Sequence, residues 1–396
     1  MKDSKRFRIL IIFGTRPELI KLAPLIKVFQ KEYSGRVEVL TVNVAQHREM
    51  VDQLLKVFGI TPCFDLNIMR PKQSLHYITV EALKKLSELY DETSPDYVVI
   101  QGDTTTGMAA SLAAFYKKIP VGHVEAGLRT HNRYSPFPEE INRRLIAVLA
   151  YHHFAPTKSA YENLLKEGIE KRSVFLTGNT VIDAVLDIVN SGKLSPPGYV
   201  LPHKKVILVT AHRRENWGKK LESICNAIKR LALNFEEVQF IYPVHLNPIV
   251  REIAFRILQG IPRVKLVDPV DYLELLSLMK CSYLILTDSG GIQEEAPALG
   301  KPVLVLRNTT ERPEGINEGV AMLVGTDEDK IFNVTAELIR NESFYKSMAK
   351  KKLIYGDGKA ANRIANIIFE FLQKGSQNNE KNKSIDLKSS TEQLCE

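Results

Sequence analysis

Tyr283-Leu284-Ile285-Leu286-Thr287-Asp288-Ser289-Gly290-Gly291-Ile292-Gln293-Glu294-Glu295 reads as a buried parallel strand, a small-residue turn and the opening of a helix. Glycine has no Cβ, so the Ser-Gly-Gly turn lets backbone N–H groups approach a phosphate closely. The helix N-terminus behind the turn adds a partial positive charge aimed at the same point. The helix then continues Gln-Glu-Glu, and carboxylates bind sugar hydroxyls such as those of a ribose rather than phosphate. Together these features imply a nucleotide diphosphate carrying a sugar.

Outward from this stretch, short β-rich runs alternate with helical patterns, the signature of an α/β fold with parallel sheets. In the first half the expected strands are 8–13, 37–42, 97–100, 121–124 and 153–155. In the second half they are 206–210, 239–242, 265–266, 283–286 and 303–306. A helix is expected over 138–152, where Ile141, Leu145, Val148 and His152 recur on one face. At 396 residues the chain exceeds what one core usually supports. Ser191-Gly192-Lys193-Leu194-Ser195-Pro196-Pro197-Gly198 has linker composition, which divides the chain into domains over 1–190 and 200–358. A final helix over 360–374 carries Ile364, Ile367, Ile368, Phe371 and Leu372 on one face, and residues 375–396 are expected to be disordered. The expectation is two doubly wound domains with a cleft between them.

Composition narrows the function. The net charge of +8 comes from Lys and Arg scattered among acids, which fits a solvated basic surface better than a nucleic-acid groove. Cys63, Cys225, Cys281 and Cys395 are far apart, which argues against a zinc cluster or a disulfide framework and fits a reducing cytoplasm. No apolar stretch approaches the ~20 residues of a membrane helix. A soluble cytoplasmic protein without metal, membrane or nucleic-acid partner is expected.

Ligands of open parallel sheets bind beyond the carboxyl ends of the strands, and at least six strands here end in small or charged residues. In Gly14-Thr15-Arg16-Pro17-Glu18, Thr15 and Glu18 fit a capping box and Pro17 a helix start, which leaves Arg16 for an anion. Lys21, one turn on, is either a second anion ligand or a solvated residue. Asp103, in Gln101-Gly102-Asp103-Thr104, is either an N-cap or a site carboxylate. Glu125, in His123-Val124-Glu125-Ala126-Gly127-Leu128-Arg129, is either a partner of Arg129 or a site carboxylate. Glu139 and Glu140 open a helix and can pair with Arg143 and Arg144 four residues on. His212 and Arg213, in a dense polar cluster ending at Asn216, and His245 follow strands in the second half. Both histidines suit a diphosphate held with Ser289 and Gly290, and no His/Cys spacing suits a metal.

These motifs, in this order and across residues 8–372, resemble the non-hydrolysing UDP-N-acetylglucosamine 2-epimerases. Thr177-Gly178-Asn179-Thr180-Val181-Ile182-Asp183, Pro243-Val244-His245-Leu246-Asn247-Pro248 and Thr310-Glu311-Arg312-Pro313-Glu314-Gly315 complete the set. The resemblance implies a GT-B-like pair of Rossmann-type domains, the last helix crossing back to the first. It implies a homodimer that interconverts UDP-N-acetylglucosamine and UDP-N-acetylmannosamine through elimination of UDP to 2-acetamidoglucal, with no cofactor. By the same resemblance Asp103, Glu125 and Glu139 take the catalytic carboxylate positions, with base and acid roles left open among them. His212 takes a catalytic and UDP-holding position beside Arg16, Lys21, Arg213, His245, Ser289 and Gly290, and Glu295 faces the ribose. Gln46, His47, Lys72 and Gln73 lie in segments where bacterial relatives bind the substrate as an activator. Lys72 stands where an arginine would give a bidentate clamp. Three rival readings share these features. They are a hydrolysing 2-epimerase releasing UDP and N-acetylmannosamine, a GT-B glycosyltransferase, and a nucleotide-sugar-binding module without turnover.

Overall fold

The computed structural model describes residues 6–46 and 49–392, and the chain folds as two compact units. Unit 1 comprises Met1–Thr180 with Gly358–Glu396, and unit 2 comprises Val181–Asp357. Both are doubly wound α/β layers.

Unit 1 runs β1 (Phe7–Phe13), α1 (Arg16–Glu32), β2 (Val37–Asn43), α2 (Glu49–Phe58), β3 (Phe64–Asp65), α3 (Leu75–Thr93), β4 (Tyr97–Gln101) and α4 (Thr105–Tyr116). It continues with β5 (Val121–Val124), α5 (Glu139–Leu149), β6 (His152–Ala155), α6 (Lys158–Lys166), β7 (Val174–Leu176) and the start of α7 (Thr180–Asn190). Its seven strands are parallel in the order β3-β2-β1-β4-β5-β6-β7. Strands buried on both faces must be apolar throughout, which is why Ile9 to Phe13 and Tyr97 to Ile100 read as unbroken apolar runs.

Unit 2 repeats the plan. Its elements are β8 (Lys205–Thr210), α8 (Lys219–Asn234), β9 (Val238–Pro243), α9 (Pro248–Leu258), β10 (Val264–Val267), α10 (Tyr272–Cys281), β11 (Leu284–Thr287) and α11 (Gly290–Ala298). Then follow β12 (Val303–Val305), α12 (Pro313–Asn317), β13 (Ala321–Leu323), α13 (Glu328–Arg340) and α14 (Glu342–Met348). The strand order is β10-β9-β8-β11-β12-β13. In each sheet the order reverses between the first strand and the fourth, β1 beside β4 and β8 beside β11. That is where ligands of such sheets bind.

The expected strands are present, each within two residues of its predicted ends. The short strands β3, β7 and β13 leave no sequence signal, because two or three residues carry too little periodicity. Two helices depart from expectation. α5 ends at Leu149, and His152 starts β6 instead of extending the helical stripe. Leu145 and Val148 of that stripe are 45% and 79% exposed, while Asn142, Arg143, Ile146 and Ala147 face inward. The apolar stripe of α5 is therefore its outer face. The last helix, α15 (Ala360–Glu392), passes Lys374 into residues expected to be disordered. That segment contains no proline, and a helix already nucleated by the packed residues before it extends without a second nucleation cost.

α15 packs on unit 1. Phe369 meets Phe7 and Tyr33, the Arg36 guanidinium lies 4.4 Å from the Phe369 ring centre, and Arg363 donates to the Thr177 carbonyl.

One buried acid ties the loops at the unit 1 reversal together. The expected capping box forms only in part. The Glu18 carboxylate reaches back to the Gly14 N–H (3.0 Å) and takes the Thr15 hydroxyl (2.8 Å), so that hydroxyl no longer caps α1. Its second oxygen accepts from the Thr104 hydroxyl across the reversal (2.7 Å), and the Thr104 oxygen also caps α4 at the Gly107 N–H. Burial pushes the Glu18 carboxyl up to about 7 from its usual 4.5, against the pull of these donors. The folded protein therefore keeps a proton that the unfolded chain releases near pH 4.5, and stability from this group falls as pH rises from 4.5 through 7, by at most ~3 kcal/mol. Glu18→Gln should remove this dependence, so the variant gains on the wild type between about pH 5 and 8 in urea unfolding. Parallel pH profiles would show that Glu18 is ionised throughout.

Candidate active site

Unit 1 gathers two carboxylates at the ends of β4 and β5. Asp103 is not the cap of α4, since Thr104 fills that position. Its carboxylate pairs with Arg143, and its backbone carbonyl accepts from Asn142 Nδ2 (3.0 Å), so the first turns of α5 hold both ends of the residue. Arg143 also faces Glu140 at 3.6 Å. Glu140, fully buried, accepts from the Thr130 and His131 backbone N–H groups, and its pairing with Arg144 at 3.5 Å is the one expected four residues on. Beneath Asp103, His123 Nε2 meets the Gly102 carbonyl at 2.7 Å. A carbonyl only accepts, so the proton sits on Nε2. Burial lowers this imidazole to about 3, and it stays neutral as a structural pin.

Glu125 does not pair with Arg129. Arg129 forms a two-pronged pair with Glu167 (2.9 and 2.7 Å) and holds that carboxylate below its usual range. The Glu125 carboxylate instead meets Lys21, Gln101 Nε2 (3.1 Å) and Asn179 Nδ2 (2.9 Å). Its backbone sits at φ 64°, a left-handed conformation that costs a non-glycine residue about 1–3 kcal/mol. Three chain segments thus converge to hold one strained carboxylate. The alternative of a solvated Lys21 is excluded, because its ammonium is nearly buried against Glu125.

Arg16 occupies the first turn of α1, and Glu139 is the first residue of α5, directly after Pro138. Gln46 is held by two partners: its side-chain oxygen accepts from Thr106 (2.7 Å), and its backbone oxygen accepts from Gln73 Nε2 (2.9 Å). Lys72 is exposed. His47 lies outside the described residues.

Unit 2 builds its own polar centre at the β8–β11 reversal. The Thr210 and Thr287 hydroxyls bond to each other across it (2.6 Å). One Asp288 oxygen accepts from the backbone N–H groups of His212 (2.9 Å) and Arg213 (2.8 Å) and from Asn216 Nδ2 (3.1 Å). The His212 ring stacks on that of His245, with centroids 5.5 Å apart and planes 10° from parallel. His245 Nδ1 accepts from the Asn247 N–H, which puts its proton on Nε2 as a donor. Burial lowers His212 below the usual imidazole value, opposed by the nearby Asp288 carboxylate.

α11 starts at Gly290 behind Ser289, which makes no side-chain cap, so the first-turn N–H groups suit an anion. Arg312 lies over this turn: a Cβ at Gly290 would sit 3.1 Å from its guanidinium carbon, and its Nε donates to Glu294 (2.8 Å). Glu295 accepts from the Tyr272 hydroxyl (3.1 Å). Neither Arg312 nor Tyr272 stands out in the sequence as a site residue. For Arg312 the available signal is an arginine just before a proline-started helix, within Thr310 to Gly315. Tyr272 carries none. Among the described residues no cluster of three His, Cys, Asp or Glu side chains could hold a metal ion.

Known proteins give this arrangement a context. The family model described as UDP-N-acetylglucosamine 2-epimerase matches residues 31–369. A UDP-N-acetylglucosamine 2-epimerase of Escherichia coli (strain K12) is 50% identical over 366 residues, spanning 90% of this chain and 97% of the relative. Its counterpart from Bacillus subtilis (strain 168) is 51% identical over 360 residues, 91% and 94% of the two chains. The crystal structure of the Neisseria meningitidis UDP-GlcNAc 2-epimerase bound to UDP-GlcNAc superposes with a TM-score of 0.86 at 46% identity, covering 92% of this chain and all of that one. With two doubly wound parallel sheets and this similarity along almost its whole length, the chain belongs to the UDP-N-acetylglucosamine 2-epimerase family.

Proposed function

We propose that the chain is a non-hydrolysing UDP-N-acetylglucosamine 2-epimerase, an isomerase interconverting UDP-N-acetylglucosamine and UDP-N-acetylmannosamine. The observation that carries the reading is the pair Asp103 and Glu125, each at a strand end and each aimed by its own cation. A C2–H bond is weakly acidic, so a positioned base must act while C1 gives up its leaving group. One carboxylate takes the C2 proton, the C–H electron pair becomes the C1=C2 bond, and the C1–O bond to UDP breaks. The products, 2-acetamidoglucal and UDP, recombine with protonation of C2 on the opposite face. Asp103, Glu125 and Glu139 share the proton transfers.

Unit 2 supplies the anion ligands for departing UDP: His212, Arg213, His245, the Ser289–Gly290 turn and, added from the geometry, Arg312. Glu295, aligned by Tyr272, is assigned to the ribose hydroxyls. Arg16 joins the diphosphate ligands. A second nucleotide-sugar position at Gln46, Lys72 and Gln73 belongs to the same reading, and a sigmoidal rate against UDP-N-acetylglucosamine concentration is its signature. The free thiols of Cys63, Cys225 and Cys281 support a cytoplasmic location, which cell fractionation tests.

Homodimerisation is supported by the outer face of α5. Leu145 and Val148 there, with Phe115 and Tyr116 at the end of the neighbouring α4, are exposed apolar side chains on packed helices.

Proton NMR of the protein with UDP-N-acetylglucosamine in D2O tests the reaction. UDP-N-acetylmannosamine carrying deuterium at C2, with little free UDP, is the expected result. Accumulating UDP and free N-acetylmannosamine would make the enzyme a hydrolase, and an unchanged sugar nucleotide would remove the epimerase reading. Asp103→Asn, Glu125→Gln and Glu139→Gln should each lower kcat by ~10²–10⁴-fold in the same assay. Leu145→Glu with Val148→Glu should halve the mass seen by sedimentation, whereas a wild type already sedimenting as one chain would refute the dimer.

A further inference from the structure

We propose that Asp288 is a positioning residue that acts through His212, presenting the ring to the departing diphosphate with its proton on Nδ1 and balancing the imidazolium when Nε2 takes up a proton. The inference rests on the proposed role of His212 and goes beyond it by naming the group that prepares that histidine.

The two Asp288 oxygens have different duties. Oδ2 is saturated by the His212 and Arg213 N–H groups and by Asn216, and fastens the 212–216 loop to the end of β11. Oδ1 is fully buried and has no hydrogen-bond partner. The ring nitrogen facing it is His212 Nδ1, at 3.5 Å, slightly beyond good hydrogen-bond range. A small ring rotation closes that gap. Fastening the loop needs only Oδ2, so the loop alone does not account for an ionisable group whose other oxygen faces an imidazole.

Charge arithmetic around the ring points the same way. His212 is faced by His245 from the loop after β9, by Arg213 beside it in the chain and by Asp288 from the end of β11. His245 and Arg213 disfavour a proton on the ring, and of the three only Asp288 favours one. A neutral His212 held with Nδ1–H toward Asp288 offers the Nε2 lone pair, and a proton taken up there from solvent turns Nε2 into a charged donor for a phosphoryl oxygen. The carboxylate would thus let a ring stacked on a second histidine become cationic as the C1–O bond breaks, when negative charge grows on UDP.

The test is long-range ¹H–¹⁵N NMR of the full chain with ¹⁵N-labelled histidine, the His212 signals being assigned by their loss in His212→Asn. In the wild type the neutral ring should carry its proton on Nδ1. An Nε2–H tautomer would overturn the proposal without any variant. In Asp288→Asn the ring should lose that preference and titrate about one pH unit lower. An unmoved titration would overturn the proposal. In the epimerase assay Asp288→Asn should lower kcat at least tenfold with a smaller change in KM. In a His212→Asn background the same change should cost less than about twofold. An equal cost in both backgrounds would mean that Asp288 acts only through the loop. The NMR arm needs no turnover, so a wild type that fails to epimerise would refute the proposed function and leave the Asp288–His212 pairing to be judged by its tautomer.

Discussion

Where each sheet reverses its strand order, a carboxylate withdrawn from solvent collects hydrogen bonds from the loop facing it. In unit 1 this is Glu18, joined to Thr104 beyond β4. In unit 2 it is Asp288, joined to His212, Arg213 and Asn216 beyond β8. A carboxylate in such a place is costly unless several donors surround it, and backbone N–H groups at a reversal are costly unless something accepts from them. Each need meets the other, and the positions of Asp103 and of the stacked histidines follow from the loops so fixed. The two solutions use different residues on different loops, which indicates that the geometry of the reversal, more than any one motif, demands a buried acceptor.

The carboxylates of unit 1 show how rigid placement is achieved on short loops. Glu125 sits in a strained backbone conformation, and that is sustained because Lys21 from α1, Gln101 from β4 and Asn179 from just before α7 all converge on its oxygens. Asp103 is gripped by consecutive residues of α5, Asn142 at its carbonyl and Arg143 at its side chain. Buried polar groups tied to several separate segments specify one arrangement more sharply than apolar contacts do, since a shift of any segment leaves an unpaired charge.

Much of this was legible in the sequence, and what was not has physical causes. The long strands were readable because burial on both faces enforces unbroken apolar runs. The strand-end clusters were readable because bulky polar residues beside a buried strand have few structural uses. Partner choice was less accessible: Glu125 with Arg129 and Glu139 with Arg143 were plausible by spacing, yet Arg129 turned to Glu167 and Arg143 to Asp103, far along the chain. Spacing rules describe neighbours along one element and are blind to such pairs. The stripe of α5 misled for another reason, since helical periodicity identifies an apolar face without saying what covers it. Tyr272 could not be found at all, because the Glu295 carboxylate that its hydroxyl meets lies on another helix.

Unit 1 is interrupted in sequence, and α15 is its last piece. Phe369 fills a place against Phe7 and Tyr33, and Asn362 bonds to Glu32 (3.0 Å), so residues at opposite ends of the chain complete one layer. On the ribosome the uninterrupted unit 2 emerges whole before α15 is available. The nascent first unit must therefore wait with an apolar flank uncovered while its successor folds, a reversal of the usual N-terminal-first order of domain maturation.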